Sequence, residues 1–123
     1  MQQANAMSSD YRELRVWNAG VDLTLLTYDL TRTFPRVEVF GLTSQMRRCA
    51  VSIPSNIAEG HGRFTRGEFR NALSNARGSV NELETQCEIA YRLGFTDDTR
   101  RAELFLATAS ISKGITRLKQ RMR

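Results

Sequence analysis

Proline is almost missing from this chain: Pro35 and Pro54 are the only two in 123 residues. No segment is biased toward a few residue types either, which excludes a long disordered linker. Strand-like alternation of apolar and polar residues is absent, which argues against a sheet. Cys49 and Cys87 are the only cysteines. Both fall on apolar helical spacings and read as reduced core thiols rather than a disulfide. His61 is the only histidine, leaving too few soft ligands for a zinc site. No apolar run approaches the ~20 residues of a membrane span, and no N-terminal stretch joins a basic block to an apolar one as a signal peptide does. The expectation is a cytoplasmic protein with no metal, no cofactor and no membrane attachment. Catalytic groupings are lacking too. No serine, cysteine or lysine has an evident base partner, and His61 on a glycine turn reads as solvated. Glu59 and Glu68 flank that turn with no electrophile to serve, so an enzyme is not expected.

Acidic residues are the scarcer charge, 13 against 18 basic, for a net charge of +5. Sixteen of the 18 basic residues are arginine. Guanidinium groups bind phosphates and carboxylates bidentately, so this bias permits a nucleic-acid partner; codon usage in a GC-rich genome would produce the same bias. Hydrophobic residues at 41% supply one core in a chain of this length. Residues 1–9 are polar and unpatterned and read as a flexible arm before a single domain at 10–123.

Apolar periodicity predicts four helices. The first runs from about Leu14 to Thr33 and ends at Phe34-Pro35. Leu14, Trp17, Val21, Leu25 and Tyr28 share one face, while Val16, Ala19, Leu23, Leu26 and Leu30 fall nearly opposite. A surface helix normally carries one apolar stripe. Two stripes predict one face in the core and one against another subunit, with Val16, Leu23, Leu26 and Leu30 as the interface; the alternative is a helix engulfed within its own bundle. The second helix spans roughly Leu42 to Glu59, with Leu42, Met46, Cys49, Ile53 and Ile57 as its seam and Gly60 at its end. Pro54 lies inside it, a placement that typically costs about 3 kcal/mol. A Thr65/Glu68 capping box with a Phe64/Phe69 staple opens the third, whose seam runs Leu73, Ala76, Val80, Leu83, Cys87, Ala90 before a Gly94 stop. The fourth starts from a cap near Thr96 and ends in basic residues. Short turns between four helices predict an all-α fold, an antiparallel up-down-up-down four-helix bundle.

Arg66, Arg70, Arg77, Glu84 and Glu88 fall in one strip of the third helix, basic first and acidic last, opposing the helix dipole. Arg47 and Arg48 near the start of the second helix and Glu59 near its end repeat the order. Pairs across antiparallel helices, such as Arg48 with Glu84, would explain this; each contributes only ~0–1 kcal/mol. The alternative is an anion site in which Arg47, Arg48, Arg63, Arg66, Arg70 and Arg77 meet phosphate, helped by the free N–H groups that open a helix. Small and polar residues, Ser52, Ser55 and Asn56 with Asn71, Asn75, Gly78 and Ser79, read as two helices in close contact.

Several segments carry a resemblance: Leu14-Arg-Val-Trp17, Phe34-Pro35, Gly41-Leu-Thr-Ser-Gln-Met-Arg-Arg48, Ser52-Ile-Pro-Ser-Asn-Ile-Ala-Glu-Gly60, Gly62-Arg63, Gly78-Ser79, Glu82-Leu-Glu84 and Leu93-Gly94. Over about residues 12–118 the chain resembles the bacterial 23S rRNA intervening-sequence protein family of small four-helix bundles. Cys49 stands where that family usually has alanine, and His61 where it often has another residue. The resemblance implies a cytosolic antiparallel bundle able to form five-subunit rings. By analogy with accessory proteins of diversity-generating retroelements, it also implies contact with structured RNA or an RNA–protein complex. A protein partner without RNA is the alternative. No catalytic residues come with the family. Pro54, Asn56, Glu59 and Gly60 belong to its motif, and the resemblance implies assembly or ligand contact for Arg47, Arg48, Asn56, Glu59 and Arg63.

Overall fold

In the computed structural model, residues 10–63 and 65–122 are described. The expected arm at 1–9, the Phe64 half of the staple and the terminal Arg123 lie outside them. Four α-helices and two short 3-10 helices, with no strand, make up the described residues. We label the helices α1 (Arg15–Thr31), α2 (Leu42–His61), α3 (Arg66–Arg92) and α4 (Asp98–Arg121). The 3-10 helices, Tyr11–Glu13 and Arg36–Phe40, precede α1 and α2. Helix α1 packs against α2 and α4, and α3 packs against the same two, so the four close into a square.

The seams fill the centre. Leu23 and Leu30 of α1, Met46, Ile53 and Ile57 of α2, Leu73, Val80 and Leu83 of α3, and Leu104, Ile111 and Ile115 of α4 are all essentially inaccessible. Each such side chain contributes about 1.5–3 kcal/mol on burial. Ile53 and Ile57 alone therefore offset the cost of the proline between them.

The capping box at the start of α3 forms as read: the Glu68 amide donates to Thr65 Oγ1 at 3.1 Å, and Glu68 Oε1 accepts the Thr65 amide at 3.3 Å. Gly94 adopts φ 81°, the left-handed stop that a side chain would strain. The Phe95 amide then reaches back to the Ala90 carbonyl at 2.9 Å, and its ring meets Phe34 with centroids 5.6 Å apart. One cap differs from expectation. Asp97, not Thr96, caps α4, its carboxylate accepting the Arg100 amide at 2.8 Å. A charged acceptor at the positive end of a helix binds more strongly than a hydroxyl.

The residues read as an interface on α1 pack in the core instead. Val16, Leu23 and Leu30 are buried within this subunit and are not available to a neighbour, and half-buried Leu26 packs on the same core. The other stripe divides along its length. Leu14 is buried, while Leu25 is 64% and Tyr28 41% exposed. Two stripes at nearly opposite angles do not say which one the bundle takes. The deciding fact is tertiary: α2 and α4 both dock on the Leu23/Leu30 side.

Candidate functional site

The string Ser52–Gly60 has a packing use for most of its residues. Pro54 is buried against α1 at Gly20, where an added Cβ would stand 3.2 Å from the proline Cβ. Proline has no N–H for the Ala50 carbonyl, and α1 supplies the replacement: Thr24 Oγ1 donates toward that carbonyl at 3.1 Å while also lying 2.9 Å from the Gly20 carbonyl. Ser52 Oγ lies 2.9 Å from Ser79 Oγ on α3, and Cys49 Sγ donates to the Ser79 carbonyl at 3.1 Å. Asn56 Nδ2 bonds back to the Ser52 carbonyl at 2.7 Å. A Cβ on Gly60 would collide with Ala72 Cβ, so this glycine sets how closely α2 and α3 approach. Gly78 has nothing within 4 Å of its would-be Cβ and does not serve that purpose within the subunit. Glu59 is exposed and meets Arg63 at a loose 3.9 Å.

The charge strip of α3 faces α4 rather than α2. Arg70 Nη1 donates to the Lys119 carbonyl at 2.5 Å, satisfying an acceptor near the end of α4. Arg77 Nη2 donates to the Ser112 carbonyl at 2.7 Å and also reaches Thr116 Oγ1. Glu84 accepts the Thr108 hydroxyl at 2.5 Å, and Glu88 binds Arg101 at 2.6 Å and Arg92 at 2.8 Å. The Arg92 and Arg101 guanidinium groups hold Glu88 below the usual carboxylate range. The expected Arg48–Glu84 pair is therefore replaced: Glu84 turns to Thr108, and Arg48 lies 3.3 Å from Ser44 Oγ on its own helix. Of the six arginines read as an anion site, Arg70 and Arg77 are half-buried along the α3–α4 seam. Arg63 and Arg66 stay exposed beside the α2–α3 turn.

Arg47 and Arg48 sit elsewhere, in a cleft of about 410 Å³ between α1, α2 and the second 3-10 helix. Arg47 Nε donates to Thr31 Oγ1 at 2.8 Å, and its guanidinium lies 4.6 Å from the Tyr28 ring centroid, a cation–π contact. Around the two arginines stand Tyr28, Val39 and Val51, each 41–50% exposed. Leu25 lies on the same side of α1, and Phe40, 94% exposed, ends the 3-10 helix. Sequence reading placed Leu25 and Tyr28 on a stripe but overlooked Val37, Val39 and Phe40. The available signal was three large apolar residues in a five-residue connection, where turns are normally polar.

A second groove of about 450 Å³ runs between α3 and α4, lined in part by Ile89, Phe105, Glu84, Glu88 and Arg101. Both thiols are buried; desolvation pushes Cys49 up to about 12 and Cys87 up to about 11, so neither is a nucleophile near neutrality. His61 packs edge-on to Phe69, with ring centroids 5.5 Å apart. Among the described residues no three metal-ligating side chains cluster, and no helix is long and apolar enough to cross a membrane.

Residues 12–117 match the family described as 23S rRNA-intervening sequence protein. No curated protein matches the chain.

Proposed function

Since the chain belongs to the 23S rRNA-intervening sequence protein family, we propose that it is a non-enzymatic, cytoplasmic, homo-oligomeric scaffold whose basic surface binds structured RNA or an RNA–protein complex. The carrying observation is the apolar face around Arg47 and Arg48. Leu25, Tyr28, Val39, Phe40 and Val51 leave large apolar side chains wet on one side of a single subunit. Contiguous apolar surface of this kind marks an interaction site.

We read the subunit as an antiparallel up-down-up-down bundle. The partners of α3 on α4 run in reverse order, from Arg70 with Lys119 to Glu88 with Arg101, which supports that topology. Ile89, Leu93 and Leu106 expose a different apolar face on α3 and α4. Two unlike faces favour head-to-tail contacts, and head-to-tail contacts generate rings when the rotation closes. Five subunits is the number we propose, following the rings formed by related bundles. Assembly multiplies the +5 of each chain and presents equivalent basic patches to one polyanion.

Light scattering on the full chain tests assembly, and a strictly monomeric protein at high micromolar concentration contradicts it. Gel-shift titration with structured RNA tests the partner. The shift weakens with salt at a log–log slope of about −0.7 to −0.9 per phosphate contacted. No shift at micromolar protein in low salt removes the RNA reading. The exposed apolar side chains also favour a second reading, a module that binds protein and not RNA. Partner proteins that survive nuclease treatment during purification distinguish it.

A further inference from the structure

The first turn of α1 and the last turns of α4 enclose a small cleft of about 90 Å³. Leu14 and Val16 form its buried floor. Arg15 from α1 and Arg117 and Arg121 from α4 form its rim, all three exposed. Gly114 lets the two helices come this close, because a Cβ there would stand 2.5 Å from Val16 Cγ1.

The three arginines here lack the carboxylate partner that six others have. Arg12, Arg32, Arg63, Arg92, Arg100 and Arg101 each meet a carboxylate. Among the described residues none meets Arg15, Arg117 or Arg121, and no carboxylate lines the cleft. Helix α1 begins at the same place with no side-chain cap and no acidic residue in its first turn. The positive end of its dipole adds to the like charge of three guanidinium groups, which the negative end of α4 beside Arg117 and Arg121 offsets only in part. Arginine cannot shed its proton to relieve that repulsion. An anion relieves it, and a tetrahedral oxyanion suits several guanidinium forks at once. A cleft of this size admits water and a small oxyanion between the arginines.

We propose that this cleft seats a backbone phosphate of bound nucleic acid, a contact that positions the polymer without reading its sequence. The proposal rests on the RNA reading above and assigns that reading a site outside the Arg47/Arg48 face. Its test is fluorescence anisotropy of the full chain with a labelled RNA hairpin across a salt series. Arg117→Gln is compared with Lys113→Gln, which removes the same charge from the same helix outside the cleft, and circular dichroism melts confirm that both fold. Arg117→Gln weakens binding about tenfold at low salt and lowers the salt slope by about one, while Lys113→Gln changes either much less. Equal losses from the two variants overturn the proposal, leaving only a net-charge effect. Wild-type affinity in the Arg15→Gln/Arg117→Gln/Arg121→Gln triple variant overturns it while the RNA reading stands. Absence of binding by the wild type defeats both. Inorganic phosphate supplies the last arm, read by NMR at the Arg15, Val16 and Trp17 amides. Shifts there together with undiminished RNA binding by the triple variant assign the cleft to a free phosphate and overturn the backbone contact.

Discussion

A methyl group added at position 60 meets Ala72 Cβ, whereas one added at position 78 meets nothing within 4 Å. Gly60→Ala should therefore destabilise the fold by about 1–3 kcal/mol, the range for overpacking a tight contact. Gly78→Ala should stabilise it by about 0.5–1 kcal/mol through helix propensity alone. Urea midpoints of the two variants check both signs. Sequence reading had the weight the other way, with Gly60 as a stop and Gly78 as a point of close approach. A helical glycine looks the same in both settings, and only the residue across the crossing tells them apart. The thiols yield a second residue-scale expectation. Folded Cys87 and Cys49 hold their protons up to about 11 and about 12, well above the ~8.5 of an unfolded thiol. The folded state then binds more protons than the unfolded state above pH ~8.5. Stability contributed by each thiol is complete below that pH and falls as pH rises toward 11, by about 1.4 kcal/mol per pH unit. Urea titrations between pH 8 and 11 should show a shallower decline for Cys87→Ala than for the wild type.

At the scale of elements, the seams, the capping box and the Gly94 stop were legible because they depend on local periodicity and local hydrogen bonds. The partners of the charge strip were not, because an amphipathic pattern fixes which face is apolar but not which neighbour a flanking strip meets. Arg70 and Arg77 face α4, and that choice follows from how α3 is rotated about its axis. The pairing of Thr24 with the Ala50 carbonyl was equally hidden, since Thr24 lies 26 residues from its acceptor. It also makes a specific expectation. Thr24→Val should cost about 1 kcal/mol while Pro54 is present, the usual worth of a hydrogen bond to a carbonyl with no other donor. In the Pro54→Ala background the helix amide returns to serve Ala50, and the cost of Thr24→Val should shrink. A double-mutant cycle on unfolding free energies reads the difference directly, and additive costs would contradict it.

For the whole molecule, α1 does carry two apolar stripes, but the one expected at an interface lies in the core. Leu23 and Leu30 hold the subunit together, and the stripe left over is the one bearing Leu25 and Tyr28. Leu25→Glu or Val51→Glu should leave the subunit folded by circular dichroism, because both side chains are exposed in one subunit, and should lower the mass measured by light scattering. Leu23→Glu should instead unfold the chain, since it buries an unpaired charge. The site was less legible than the fold because arginines give no hint in sequence of whether a carbonyl, a ring or solvent awaits them. One feature reaches beyond the finished structure. With its missing amide replaced by a hydroxyl from α1, α2 is splinted by a neighbour at its weakest joint. A peptide of α2 alone would lack that hydroxyl, and the hairpin of α1 with α2 is the smallest fragment that contains the splint.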